Sequence, residues 1–182
     1  MAERSLIIEN VSISYSGLFD VQELYKIIDD WLKEKGYDKV IIKHKEYMTE
    51  KGKNIEILMG PYKKVTDYIK NFIKMWIGIN NVETVIVKKD KTNVKINKGD
   101  VMIVLDGWLE TDYENRWEQK PIFFFLRTLI DKYINKSEID QYGVDLIEEI
   151  NDLHDEIKSF LGLYKYGPAL KIKEPDAVPE RR

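Results

Sequence analysis

The chain has 182 residues, a formal net charge of −3 and no cysteine. This length is typical of one domain whose buried core is large enough that no disulfide or metal ion is needed for stability. The lack of cysteine excludes disulfides, thiolate zinc sites, iron–sulfur clusters and cysteine nucleophiles. No apolar stretch approaches the roughly 20 residues of a membrane span. Charged residues interrupt the N-terminal residues before an apolar run develops, so we expect no secretory signal and a cytoplasmic protein.

Charge is distributed unevenly along the chain. Residues 39–100 carry 14 lysines and 7 acids, whereas residues 101–166 carry 7 basic and 14 acidic residues. Ordinary solvated faces are the favoured interpretation of this asymmetry. Two faces that meet two different partners are the alternative.

The first two elements are a strand and a helix. Residues 6–15 alternate between apolar and polar, which predicts a half-buried strand. Asp20 can cap the helix that follows, and Gly36 supplies the residue that ends it. The apolar residues between them recur at helical spacing: Leu24, Ile27, Ile28, Trp31 and Leu32.

A run of strands follows, from residue 38 to residue 113. The alternating segments are 39–48, 54–59, 82–87, 92–97 and 101–113. The first two pair as a hairpin through a turn that contains Gly52. The next two form a hairpin around residues 89–91, and a turn at residues 97–99 leads into the long last strand.

Residues 65–79 are ambiguous between helix and strand. Their apolar positions fit one face of a helix at every step, yet alternate residues also fit one face of a strand. The segment is rich in β-branched and aromatic residues, and its links to the neighbouring strands are short. We therefore favour a strand.

Two helices are predicted in the C-terminal part. Residues 121–134 begin with a proline and carry a wide apolar face, and a polar linker over 135–143 separates them from a helix over 144–164. The apolar residues of the last helix form a heptad seam: Leu146, Ile150, Leu153, Ile157, Phe160 and Tyr164. We expect this seam to pack within its own chain, with dimerisation through it as the alternative. The tail from Gly167 is expected to be disordered.

The order of elements resembles the helix-grip fold of START and polyketide-cyclase-like proteins, in which a curved sheet wraps a long helix. Residues 17–39 and 106–134 also resemble a family of short archaeal proteins associated with that fold. The resemblance implies an α+β domain with a curved seven-strand antiparallel sheet, spanning residues 1–135. Residues 136–166 would add a linker and an extra amphipathic helix packed on it, and residues 167–182 a tail. It implies no activity, because fold does not select function.

The sequence offers few candidate catalytic residues. The two histidines, His44 and His154, lie in a predicted strand and a predicted helix, and a di-iron motif fails because Asn151 stands where a glutamate is needed. The sequence contains no phosphate-binding glycine loop and no dinucleotide fingerprint. We predict no catalytic residue, no metal site and no cofactor, and we favour a non-enzymatic function.

Two charged segments are candidate interaction surfaces. The acidic run from Glu110 to Glu118 is best explained by ion pairs with Arg116 and Lys120, ahead of partner docking and of metal or catalytic chemistry. The lysine-rich hairpin 88–98 is best explained as protection of a sheet edge, ahead of a phosphate-backbone surface, so nucleic acid is a disfavoured partner. The candidate surface residues are Glu110, Asp112, Glu114, Lys88, Lys89 and Lys91.

Aromatic residues supply the candidate pocket. Core filling is their commonest role, but a curved sheet closed by a helix often leaves a cavity lined by such side chains. The candidate pocket residues are Trp76, Trp108, Phe125 and Leu129. The leading hypothesis is a binding protein that holds a small apolar ligand between the sheet and the 121–134 helix. The alternative is a protein- or ribonucleoprotein-interaction module acting through the C-terminal helix, with a cyclase-type enzyme third.

Overall fold

A computed structural model describes residues 3–89, 92–111, 113, 136–166 and 171–172. The elements are β1 (Glu3–Phe19), α1 (Val21–Glu34), β2 (Ile41–Thr49), β3 (Gly52–Met59), β4 (Tyr62–Lys64), β5 (Ile69–Lys89), β6 (Thr92–Thr111), α2 (Lys136–Tyr166) and β7 (Lys171–Ile172). The domain is α+β, as the sequence predicts. None of the helices described is both long enough and apolar enough to cross a membrane.

The sheet is antiparallel and runs in the order β1-β6-β5-β3-β2, while the short strands β4 and β7 each pair with β5. The first strand pairs with the long strand after residue 100, where Tyr15 lies opposite Val101. The helix predicted between the first two strands is confirmed. Asp20 caps α1 by accepting the backbone N–H groups of Gln22 and Glu23, and Gly36 follows it with φ 77°.

Both helices cover one face of the sheet, which we call the inner face. Its apolar side chains come from alternate strand positions, such as Met75 opposite Leu105 and Ile77 opposite Ile103. They join the buried residues of α1 and α2 in a single core cluster. The ambiguous segment is therefore a strand from Ile69 onward, as favoured, because its alternate side chains fill this core.

The strand count predicted between residues 65 and 113 was wrong. Four strands were expected there, but β5 and β6 run continuously where turns were predicted near residue 80 and at residues 97–99. The polar residues at these places form a bulge, with Asn81 at φ 55° and a register shift between Asn80 and Glu83. The Asn81 side chain then donates to Asp100. The turn-forming residues are thus accommodated in a bulge, and the strand continues in the same direction.

The linker predicted over 135–143 was also wrong, because α2 already begins at Lys136. Most residues in that stretch are compatible with a helix, and Gln141 donates to Asp145 one turn later. Gly107 lets α2 approach the sheet closely. A Cβ there would stand 2.4 Å from Cδ1 of Ile150 and 2.8 Å from Cγ2 of Ile8.

The heptad seam of α2 packs within the chain. Leu146, Ile150, Leu153 and Ile157 are buried in the core cluster, and the helix contacts β1, β6 and α1. Covering the seam in this way removes its apolar surface from water, which is the main stabilising contribution of such a helix.

Candidate functional site

The face of the sheet opposite the two helices, which we call the outer face, carries large apolar side chains. In neighbouring strands Phe72 lies opposite Trp108, and Trp76 lies opposite Val104. Directly opposed residues of an antiparallel pair point to the same side, so these four share the outer face. Met102 and Leu6, on the same face, are 46% and 42% exposed. An apolar surface of this kind on a sheet marks a contact site.

Trp76 is held against the sheet by two neighbours, Gly78 and Glu56. Gly78 leaves room for the indole, because a Cβ there would stand 2.5 Å from the Cη2 atom of the ring. The indole N–H donates to Glu56 at 3.3 Å, and Glu56 accepts from Lys43 at 3.0 Å. The Lys43 ammonium and the Trp76 N–H hold the pKa of the Glu56 carboxyl below its ordinary value. The ring is thus fixed in orientation while its other side is only half-buried.

A bulge in β1 supplies the polar part of the same region. Between Ile8 and Val11 the register shifts, and Asn10 adopts φ 58°. Its backbone N–H then points at the sheet and donates to Oδ1 of Asp106 at 3.0 Å. Bulges of this kind redirect backbone groups and are frequent beside functional sites.

Lys74 completes this region from β5. Its Nζ lies 3.6 Å from Oδ2 of Asp106, which is beyond hydrogen-bonding distance. The Lys74 side chain is 49% exposed, whereas that of Asp106 is 18% exposed. The carboxylate is therefore satisfied mainly by the Asn10 amide, and the ammonium remains open to solvent.

These residues surround an open groove of about 240 Å³, lined by Asn10, Lys74, Trp76, Val104 and Asp106. The volume lies just below the range of pockets that take drug-sized ligands, so it suits a compact ligand of one or two rings. One wall is the aromatic face of Trp76, and the other carries one cation and one anion. The groove can therefore combine stacking with a single charge contact.

The outer face continues toward Trp108 through a set of ion pairs. Glu110 is buried, with its Oε2 atom 2.7 Å from Nζ of Lys70 and 3.6 Å from the guanidinium of Arg4. The same guanidinium lies over the Phe72 ring, 5.1 Å from its centroid. Glu110 is therefore engaged within the sheet, whereas the partners expected for the acidic run, Arg116 and Lys120, lie outside the described residues.

A second polar cluster lies on the other side of the molecule, between α1, α2 and β4. The buried Tyr37 hydroxyl donates to Glu149 at 2.6 Å, and Lys63 donates to the same carboxylate at 2.5 Å. Burial, and then the bond to Glu149, raise the pKa of Tyr37. The Asn71 amide beside it is also buried, and its Oδ1 has no hydrogen-bond partner. These contacts anchor α2 to the sheet through the acidic flank of the helix.

The predicted pocket residues are thus only partly described. Trp76 and Trp108 lie on one face of adjacent strands, but Trp108 does not line the groove around Trp76. Phe125 and Leu129, with the helix predicted over 121–134, lie outside the described residues. Sequence reasoning missed Asn10, Lys74 and Asp106, because only the bulge in β1 brings Asn10 to Asp106.

The predicted charged surfaces are described in part as well. Lys88 and Lys89 continue the backbone of β5 to its end, while Asp112, Glu114 and Lys91 lie outside the described residues. His44 lies 3.2 Å from Glu46, and His154 lies 2.9 Å from Asp155. No group of three or more His, Asp or Glu side chains in the described part of the chain is placed to hold a metal ion.

No protein-family model matches this chain, and no curated protein matches it either.

Proposed function

We propose that this protein binds a small apolar ligand on the outer face of its sheet, and that it does so without catalysis. The observation that carries the proposal is the fixed Trp76 ring beside an open groove of about 240 Å³. A ring already held flat by Gly78 and Glu56 loses little conformational entropy when a ligand stacks on it.

The distribution of charge on this face supports a small ligand over a nucleic acid. Lys43 pairs with Glu56, Lys70 pairs with Glu110, and Lys74 lies beside Asp106. Nucleic-acid surfaces need cations that are free to contact phosphates. Lys43 and Lys70 are instead each held by a carboxylate, so this part of the face presents few of the free cations that a phosphate backbone requires.

The same proposal includes the helix-grip arrangement, with one face of the sheet holding a long helix and the other open to a ligand. The 31-residue helix α2 against β1 and β6 supports it, as does the resemblance of residues 17–39 and 106–134 to the archaeal family. A partner docked on the α2 seam is the weaker candidate, because the seam residues Leu146, Ile150, Leu153 and Ile157 are already buried within the chain.

Calorimetric titration with 2-naphthamide, a neutral two-ring probe, tests the proposal. We expect saturable binding with a Kd below about 1 mM. Stacking on an aromatic side chain contributes about 1–3 kcal/mol, so Trp76→Ala should weaken binding about 5-fold or more. The control is Tyr47→Ala, which removes an exposed aromatic ring from β2 and should leave the affinity unchanged. Equal affinities for wild type and a folded Trp76→Ala variant would contradict the proposal.

A further inference from the structure

The charges around the groove distinguish among the apolar ligands that it can take. Among the lysines that lie beside a carboxylate on this face, the Lys74 ammonium stands 3.6 Å from Asp106. Lys70 and Lys43 contact their carboxylates at 2.7 and 3.0 Å. Lys74 is also half-exposed, whereas Lys70 is mostly buried.

Asp106 uses its two oxygens on different sides. The Asn10 N–H, at a residue with φ 58°, donates to Oδ1 of Asp106 at 3.0 Å, while Oδ2 lies 3.6 Å from the Lys74 ammonium. The contact between the ammonium and this carboxylate is therefore longer than a hydrogen bond. An ammonium in this position gains from a second anion that approaches from the solvent side.

Lys74 and Trp76 stand two positions apart on β5, so their side chains leave the sheet on the same face about 7 Å apart. The indole leans toward Gly78, but both side chains line the groove, so one ligand in the groove can contact the Trp76 ring and the Lys74 ammonium together. Resting on the proposed binding function, we propose that the ligand is a compact aromatic carboxylate or a similar planar anion. Its ring stacks on Trp76, and its anionic group pairs with Lys74.

Two matched probes separate this inference from the binding function itself. The probes 2-naphthoate and 2-naphthamide share one ring system and differ in charge at neutral pH. Exposed ion pairs contribute up to about 1 kcal/mol and partly buried pairs more, so we expect the carboxylate to bind about 3- to 10-fold more tightly. Lys74→Met should abolish this preference, so that the ratio of the two affinities falls to about one.

The control for net charge is Lys33→Met, which removes an exposed lysine from α1 and should leave the preference intact. A second variant, Asp106→Asn, removes the competing anion but keeps an acceptor for the Asn10 amide. It should increase the ratio of the affinity for 2-naphthoate to that for 2-naphthamide at least about two-fold. If both probes bind equally, or if the preference survives in Lys74→Met, the anionic ligand class is wrong while the binding function stands. If neither probe binds, both proposals are wrong.

Discussion

The indole ring of Trp76 occupies the space in which a side chain at Gly78 would stand, two positions further along the same strand. A Cβ at residue 78 would lie 2.5 Å from Cη2 and 2.9 Å from Cζ2 of the ring. A large aromatic side chain on an open sheet face ordinarily samples several orientations. Here the glycine and the bond to Glu56 select one of them, which turns the ring into a fixed surface for stacking.

The first prediction follows from this contact. Gly78→Ala should lift the Trp76 ring away from the sheet, because the added Cβ cannot share its position with the indole. We expect a displaced Trp76 indole N–H resonance and weaker binding of 2-naphthamide. Gly162→Ala is the matched control, since a Cβ there meets no atom within 4 Å. Unchanged indole resonances and an unchanged affinity for 2-naphthamide in Gly78→Ala would show that the glycine does not fix the orientation of the Trp76 ring.

The face that holds this contact was partly predictable from sequence. Alternation of Ile69, Ile73, Met75, Ile77 and Ile79 predicts the inner side of β5, and Trp76 must then lie on the other side. The pattern does not reveal that residues 80–83 form a bulge in β5, or that residues 97–99 continue β6 instead of turning. Asn, Lys and Gly favour turns locally, and only pairing with the neighbouring strands decides otherwise.

The groove was harder to predict from the sequence than the sheet. Its polar side depends on a two-residue irregularity in β1 that leaves Asn10 with φ 58°. An asparagine between Glu9 and Val11 is only a weak indication of a bulge. Asparagine adopts a positive φ more readily than most residues, but it does so at many turns. The helical periodicity of α2 was recognised from its apolar residues alone, so its polar first turns were assigned to a linker.

The second prediction concerns the pH dependence of the Trp76 orientation. The pKa of Glu56 is lowered from 4.5 in the folded chain, first by Lys43 and then by the Trp76 N–H. The contacts of the ionised Glu56 carboxylate with Lys43 and Trp76 are therefore fully present above about pH 4.5. They are lost as the pH falls through the lower pKa that Glu56 has in the folded chain. We expect the Trp76 indole resonance to be constant near neutral pH and to shift with a midpoint below 4.5.

Substitution at residue 56 checks the origin of that titration. In Glu56→Gln the acid transition of the Trp76 resonance should disappear, because the amide does not ionise. Glu50→Gln, which changes an exposed acid in the β2–β3 turn, should leave the transition in place. Persistence of the transition in Glu56→Gln would assign it to another group.

The third prediction concerns the anchoring of α2 by Glu149. Glu149→Ala leaves the buried Tyr37 hydroxyl and the Lys63 ammonium without their shared acceptor. Removing the partner of a buried polar group costs about 1–3 kcal/mol, so the free energy of unfolding should fall by that amount. Glu148→Ala is the control, since this neighbouring glutamate is exposed and should change stability by less than about 0.5 kcal/mol. Equal losses in urea unfolding would mean that the cluster does not anchor the helix.

The fourth prediction tests packing of the α2 seam within its own chain. Leu153→Ala should lower the free energy of unfolding by about 2–5 kcal/mol, because Leu153 is fully buried in the core cluster. Val144→Ala, at a residue 46% exposed on the same helix, should have little effect. Sedimentation should give the same mass for both variants and the wild type. A wild-type dimer that becomes a stable monomer in Leu153→Ala would instead place the seam at an interface between copies.

The central claim is that the ligand lies on the outer face, and mapping of backbone amide chemical shifts during a titration with 2-naphthamide tests it most directly. We predict that the shifted amides cluster at Asn10, Lys74, Trp76, Val104 and Asp106, the residues that line the groove. The amides of helix residues whose side chains lie in the buried core, such as Leu24, Ile28 and Leu146, should not move. Shifts centred on those core residues, or the absence of any saturable shift around Trp76, would contradict the account.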